Sequence, residues 1–270
     1  PFSDFWWYHA KNWMIINNIL DSGKIIGWVP YWHFGYPLLQ MYGPGSHVLA
    51  VFFSEILSMN VFYAGIFVNC LTYVMLVLSV NLLIAKYTDK KIAFLTSLLV
   101  AISPRVFNEI FIQGHYPNLL ALSVGLIAIA LLESKEKKDK ILFAVFMFLA
   151  LITHLSFFTI LLLAVIFALL MLRRLGDYKM IGKFIIPIML AGFWLLPAMS
   201  ESRYWHGTLT GPNPGIIYLL SFGPFLLLIM YGMYAMYKQR ALLRKDLGEN
   251  RKFEQNSFML AFISSLVILS

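Results

Sequence analysis

The stretch Ile141 to Leu172, ILFAVFMFLALITHLSFFTILLLAVIFALLML, decides the fold. A bilayer crossing needs about 20 apolar residues to cover roughly 30 Å of hydrocarbon, so this run is long for one span and tight for two. Its flanks settle the matter. Lys135, Lys137, Lys138 and Lys140 precede it, and Arg173, Arg174, Lys179 and Lys183 follow it. Positive-inside bias places both basic clusters in the cytoplasm, which predicts two short passes with a turn near Thr153-His154-Leu155 on the far side.

Outward from this pair lie further apolar runs at Val61 to Ala85, Ile92 to Ser103, Pro117 to Leu132, Phe184 to Pro197 and Ile216 to Tyr237, with another opening at Phe258. Composition agrees. The 270 residues are 60% hydrophobic and 13% charged, where soluble chains carry roughly 25% charge, so a soluble enzyme is excluded. A chain this long and apolar accommodates on the order of seven crossings. The expectation is an all-α, polytopic transmembrane helix bundle. Cys70 is the one cysteine, which excludes an internal disulfide framework and a Cys-based zinc site.

Extending the topology puts 86–91, 133–140, 173–183 and 238–256 inside, and 1–46, 103–116, the tip at His154 and 199–215 outside. Of the 21 basic residues, all but Lys11, Lys24, Arg105 and Arg203 then fall inside. The net charge of +8 describes loops beside anionic lipid and points away from nucleic acid as a partner. His9, His33, His47, His115, His154 and His206 all land on the outer side or at its boundary, as do Asp4, Asp21, Glu109 and Glu201. Ionisable side chains gathered at one face of a bundle suit a site at the membrane surface, or a solvated rim.

Residues 1–46 read as a first extracytoplasmic loop and 47–270 as the transmembrane bundle, in a fragment truncated at both ends. Ser3-Asp4 opens a capped helix that ends near Gly23, and Trp6, Trp7, Trp13, Ile16 and Leu20 suit a helix lying in the interface. The stretch Gly27 to Pro37 and Tyr42-Gly43-Pro44-Gly45, rich in Gly, Pro and aromatics, predicts an ordered loop packed on the membrane face. Asp4 has two compatible readings: a helix N-cap, or a carboxylate that takes a proton from an acceptor or holds a divalent metal.

Asp4-x4-His9 followed by a helix, Trp28-x-Pro30, Gly35-x-Pro37 and Tyr42-x-Pro44 resembles the first outer loop of polytopic GT-C glycosyltransferase-like proteins. Within that group the chain resembles a prokaryotic family labelled 6-pyruvoyl-tetrahydropterin synthase-related membrane proteins. Ser103-Pro104-Arg105 with Gly114, Thr153-His154, and Phe193-Trp194-Leu195-Leu196-Pro197 extend the likeness over most of the chain. The resemblance implies transfer of a sugar from a polyprenyl-phosphate-type, lipid-linked donor to an acceptor of unknown identity on the extracytoplasmic face of the cell membrane. It implies that Asp4 is the catalytic base or part of a metal site, and that Glu109 is the nearest counterpart of a second acidic motif. Mg or Mn is the candidate cofactor, with Asp4, Glu109 and His115 as candidate ligands.

Such chemistry needs a base for the acceptor hydroxyl and positive charge for the departing phosphate. Arg105 and Arg203 suit the phosphate because a guanidinium makes paired hydrogen bonds to its oxygens; snorkelling to headgroups is the other reading. His115 suits phosphate or sugar, or else a surface loop. His154, in an apolar stretch, must face a cavity or the bundle, as a donor-site residue or a satisfied core histidine. His9 and Glu201 complete the candidate substrate-binding set. The rival functions are a transporter of a lipid-linked or metal substrate and a non-catalytic polytopic membrane protein. Glu55 is the one plausible intramembrane acid, and no His-x2-His or His-x3-His pair occurs.

Overall fold

The computed structural model describes residues 4–16, 28–29, 36–37, 43–171 and 178–201, and helices dominate them. The first helix, α1, covers Asp4–Ile15. Two short strands follow, β1 at Trp28–Val29 and β2 at Tyr36–Pro37, paired antiparallel with Trp28 opposite Pro37 and Val29 opposite Tyr36. Both strands lie within the Pro- and Gly-rich stretch.

Helix α2 is Gly45–Ile56 and α3 is Val61–Ala85, the bounds of the apolar run in the sequence. Asn60 caps α3, its side chain accepting from Phe62 N at 2.9 Å. At 1.5 Å per residue, its 25 residues reach about 37 Å, enough to cross a membrane. Helix α4, Lys90–Ala101, starts where Asp89 accepts from the Lys91 and Ile92 amides. It is too short to span alone. Pro104, which has no N–H to continue the ladder, opens α5 at Pro104–Phe107, and a π-helical turn runs on through Asn108–Ile112. Together with α4 this makes one apolar path bent by 50°, a second candidate span or a re-entrant loop. The short apolar run at Ile92 thus gains its length from residues that sequence reading placed in a loop at 103–116.

Helix α6, Tyr116–Leu131, packs on α3 and on α7, Lys137–Thr153. Lys86 and Lys183 donate to the carbonyls of Ala130 and Leu132, covering oxygens left open at the end of α6 and complementing its dipole. Helix α7 ends at His154, which adopts φ −158° and ψ 107°, and α8 resumes over Leu155–Met171. Then follow α9 at Tyr178–Gly182, α10 at Ile185–Leu190 and α11 at Gly192–Glu201.

The chain divides into two compact units, one of residues 1–159 with 182–201 and one of residues 160–181 with 202–270. In the first, Tyr8, Ala50, Val68, Ile110, Tyr116, Leu120, Val124 and Ala150 form a core joining α1, α2, α3, the π-helical turn, α6 and α7. Small side chains set its spacing: Ala50, Ala64, Ala121, Ala128 and Ala150 are fully buried. Close approach of backbones through such residues is how helices associate where lipid removes the hydrophobic drive. The described part of the second unit is most of α8 and most of α9.

Candidate functional site

The Ser103 to Tyr116 segment builds a site from its own backbone. Ser103 caps α5 by accepting from Val106 N, and the π turn then displaces the chain, a feature common at functional sites. Gly114 stops the turn with φ 79°, a left-handed conformation that suits glycine. This reversal lets His115 N donate to Glu109 O at 2.8 Å, closing the turn across six residues. The imidazole is thereby laid over the carboxylate of the same residue, with Nδ1 2.6 Å from Glu109 Oε2.

Arg105, one turn before Glu109, completes the group: its Nε lies 2.8 Å from Glu109 Oε1. One carboxylate thus holds a guanidinium on one oxygen and an imidazole on the other. The Glu109 side chain is 20% exposed, His115 33% and Arg105 83%, so the carboxylate is sheltered and the guanidinium faces out. With Nε engaged, the two Nη amino groups remain on the outward side.

His154 belongs to the same region. Burial first and the charge of His115 second lower its pKa to about 4. The Gly43-Pro44-Gly45 turn lies against the break beside it. A Cβ on Gly43 would meet Ile152 O at 2.5 Å and Thr153 O closer still, while one on Gly45 would run into Thr153 Oγ1. Two sequence motifs distant along the chain therefore touch because glycine leaves the room.

A second polar cluster joins α1, α2 and α3. His47 Nδ1 lies 2.7 Å from Asn12 Oδ1, and both side chains are fully buried. The His9 ring occupies the notch at Gly65, against Phe62, and Tyr8 meets Tyr116 edge to face at 5.5 Å. Lys11 is buried too, with Nζ 5.5 Å from the Tyr8 ring centroid. Burial lowers the His9 pKa to about 4, and burial followed by the charges of Lys11 and His9 pushes His47 well below its ordinary value. Trp6 and Trp13 of the same helix are exposed.

The structure therefore gathers Arg105, Glu109 and His115, places His154 within their field, and sets His9 in the separate α1 cluster. Asp4 opens α1 and Glu201 closes α11, but both side chains lie outside the described residues, as do all of Arg203, His33 and His206. Among the described residues no three His, Cys, Asp or Glu side chains cluster as metal ligands, and each oxygen of Glu109 faces a nitrogen. Sequence reading missed Asn12 as the partner of His47, and missed Asn69 and Thr72, fully buried on α3. Both sit in a helix that is apolar all round, so no stripe marks the side they share.

Among the described residues α3 is long and apolar enough to cross a bilayer, and α4 with α5 and the π turn makes a second, bent candidate. The family described as 6-pyruvoyl-tetrahydropterin synthase related domain, membrane protein, matches residues 39–211, and the chain belongs to it. No curated protein and no solved structure matches.

Proposed function

We propose that the protein is a polytopic glycosyltransferase of the GT-C type, working at the extracytoplasmic face on a polyprenyl-phosphate-linked sugar. In the step proposed, the acceptor oxygen bonds to the anomeric carbon as the bond from that carbon to the phosphate oxygen breaks. Asp4 takes the acceptor proton, and the lipid phosphate leaves as an anion opposite Arg105. The observation that supports this reading is the outward Arg105 guanidinium, fixed through Nε by Glu109, because a held guanidinium meets developing phosphate charge without reorganising. His154 and the Gly43-Pro44-Gly45 turn would wall the sugar side.

Asp4→Asn tests the base. Turnover with a polyprenyl-phosphate sugar should fall by about 10²- to 10⁴-fold, the usual worth of a positioned proton acceptor. Unchanged turnover would remove Asp4 from the reaction, and no turnover in the unaltered protein with any such donor would remove the transferase reading.

A further inference from the structure

We propose that the end of the bundle where α3 and α6 finish and α7 and α10 begin binds the headgroup of an anionic phospholipid, held by Lys86, Lys140 and Lys183. Two of these lysines are fixed by the fold. Lys86 Nζ donates to the Ala130 carbonyl and Lys183 Nζ to the Leu132 carbonyl, so distant parts of the chain bring two ammonium groups to one helix terminus. Each ammonium has three N–H donors, of which a carbonyl takes one, so the helix end orients the charges without consuming them. Lys140, in the first turn of α7, supplies the third charge. Burial first and the charge of Lys140 second lower the Lys183 pKa, with Lys86 adding to the effect and Glu133 opposing it. Burial lowers that of Lys86 as well, against the charges of Glu133 and Asp139. Partly desolvated ammonium groups in one another's field gain from an anion set among them.

The apolar surface beside each lysine selects a bilayer lipid as the occupant. Leu82 lies one turn before Lys86, Ile141 and Leu142 follow Lys140, and Ile185 and Ile186 follow Lys183; all five side chains are exposed. Lys86 caps a helix long enough to cross a bilayer, which sets the lysines where hydrocarbon gives way to headgroups. An anionic phospholipid matches both parts, its phosphate meeting the ammonium groups and its acyl chains the exposed Leu and Ile. A soluble phosphate would leave the apolar flank bare. Glu133 and Asp139 are the acids in the field of these lysines, and Asp139 accepts from Ser134 Oγ at 2.6 Å. Three lysines against two carboxylates leave the cluster positive, and basic pockets between spanning helices are where anionic headgroups lodge. Lys86, Lys140 and Lys183 take no part in the transfer reaction proposed above.

The test uses the full chain in nanodiscs of phosphatidylcholine with a minor share of phosphatidylglycerol. Native mass spectrometry counts the lipids that stay bound, and glycerol 3-phosphate in the buffer serves as the soluble counterpart of the headgroup. Phosphatidylglycerol should be enriched among the bound lipids over its share of the disc. Lys140→Gln and Lys183→Gln should each lower that enrichment about fivefold, the usual worth of one basic side chain beside an anionic surface. Lys90→Gln and Lys91→Gln, at exposed positions in the first turn of α4, should leave it nearly unchanged. Equal losses from the two pairs would mean diffuse attraction to basic loops and would overturn the site, as would an unaltered protein with no enrichment. Binding of glycerol 3-phosphate without enrichment of the lipid would assign the lysines to a soluble phosphate and overturn it too. Lys140→Gln leaves both helix-end bonds in place, so it carries the test should Lys183→Gln fail to fold.

Discussion

The imidazole of His9 occupies the space that a side chain on Gly65 would need: a Cβ built there would collide with His9 Cε1 and Nδ1 and lie 3.4 Å from Asn12 Nδ2. The contact seats α1 on α3, so the helix that opens the chain is held by a ring in a notch. Gly65→Ala should displace His9 and cost about 1–3 kcal/mol, the usual penalty for overfilling a packed site. Hydrogen exchange should show faster opening of the α1 amides with α6 and α7 unchanged. Equal protection in both proteins would show that the notch does not hold α1.

The same cluster makes docking of α1 sensitive to acid. His9 sits at about 4 and His47 well below its ordinary value, chiefly because burial penalises the charged ring, while an undocked imidazole titrates near 6.5. The undocked state therefore binds more protons between these limits, so docking is at full strength above about pH 6.5 and weakens as pH falls toward 4. Fluorescence of Trp6 and Trp13, exposed on α1, should change across that window. A signal flat from pH 7 to about pH 4 would contradict the docked geometry.

How much of this was legible varies by element. The bounds of α3 and the break at His154 follow from apolar length and from basic flanks, because both depend on bulk hydrophobicity. The α1–α2–α3 cluster was not legible. Asn69 and Thr72 sit in a helix apolar all round, so no stripe marks the buried side, and only the fold shows that they face inward. The union of Arg105, Glu109 and His115 was half legible: the three were candidates singly, but the π turn and the reversal at Gly114 that join them leave no periodic trace.

The Gly43-Pro44-Gly45 turn offers a graded comparison. At Gly43 an added methyl meets backbone carbonyls of Ile152 and Thr153, which cannot rotate away, whereas at Gly182 it meets nothing within 4 Å. Gly43→Ala should therefore cost several times more than Gly182→Ala, on the order of 1–3 kcal/mol against a few tenths. Thermal unfolding in detergent, with the two variants side by side, checks the order. Equal losses would mean that the turn does not rest on the α7–α8 break.

Gly114 tests how the Arg105–Glu109–His115 group is assembled. With φ at 79°, a β-carbon there costs about 1–2 kcal/mol from clash with the following carbonyl, while asparagine tolerates the left-handed region better. The strain falls on the bond from His115 N to Glu109 O, which closes the turn and lays the ring over the carboxylate. Gly114→Ala should raise hydrogen exchange at the His115 amide and loosen the imidazole from Glu109, and Gly114→Asn should do so less. The order alanine, then asparagine, then glycine separates backbone strain from simple crowding, since crowding would penalise the larger asparagine more. Exchange at the Leu120 amide, one turn into α6, serves as the internal reference and should not move.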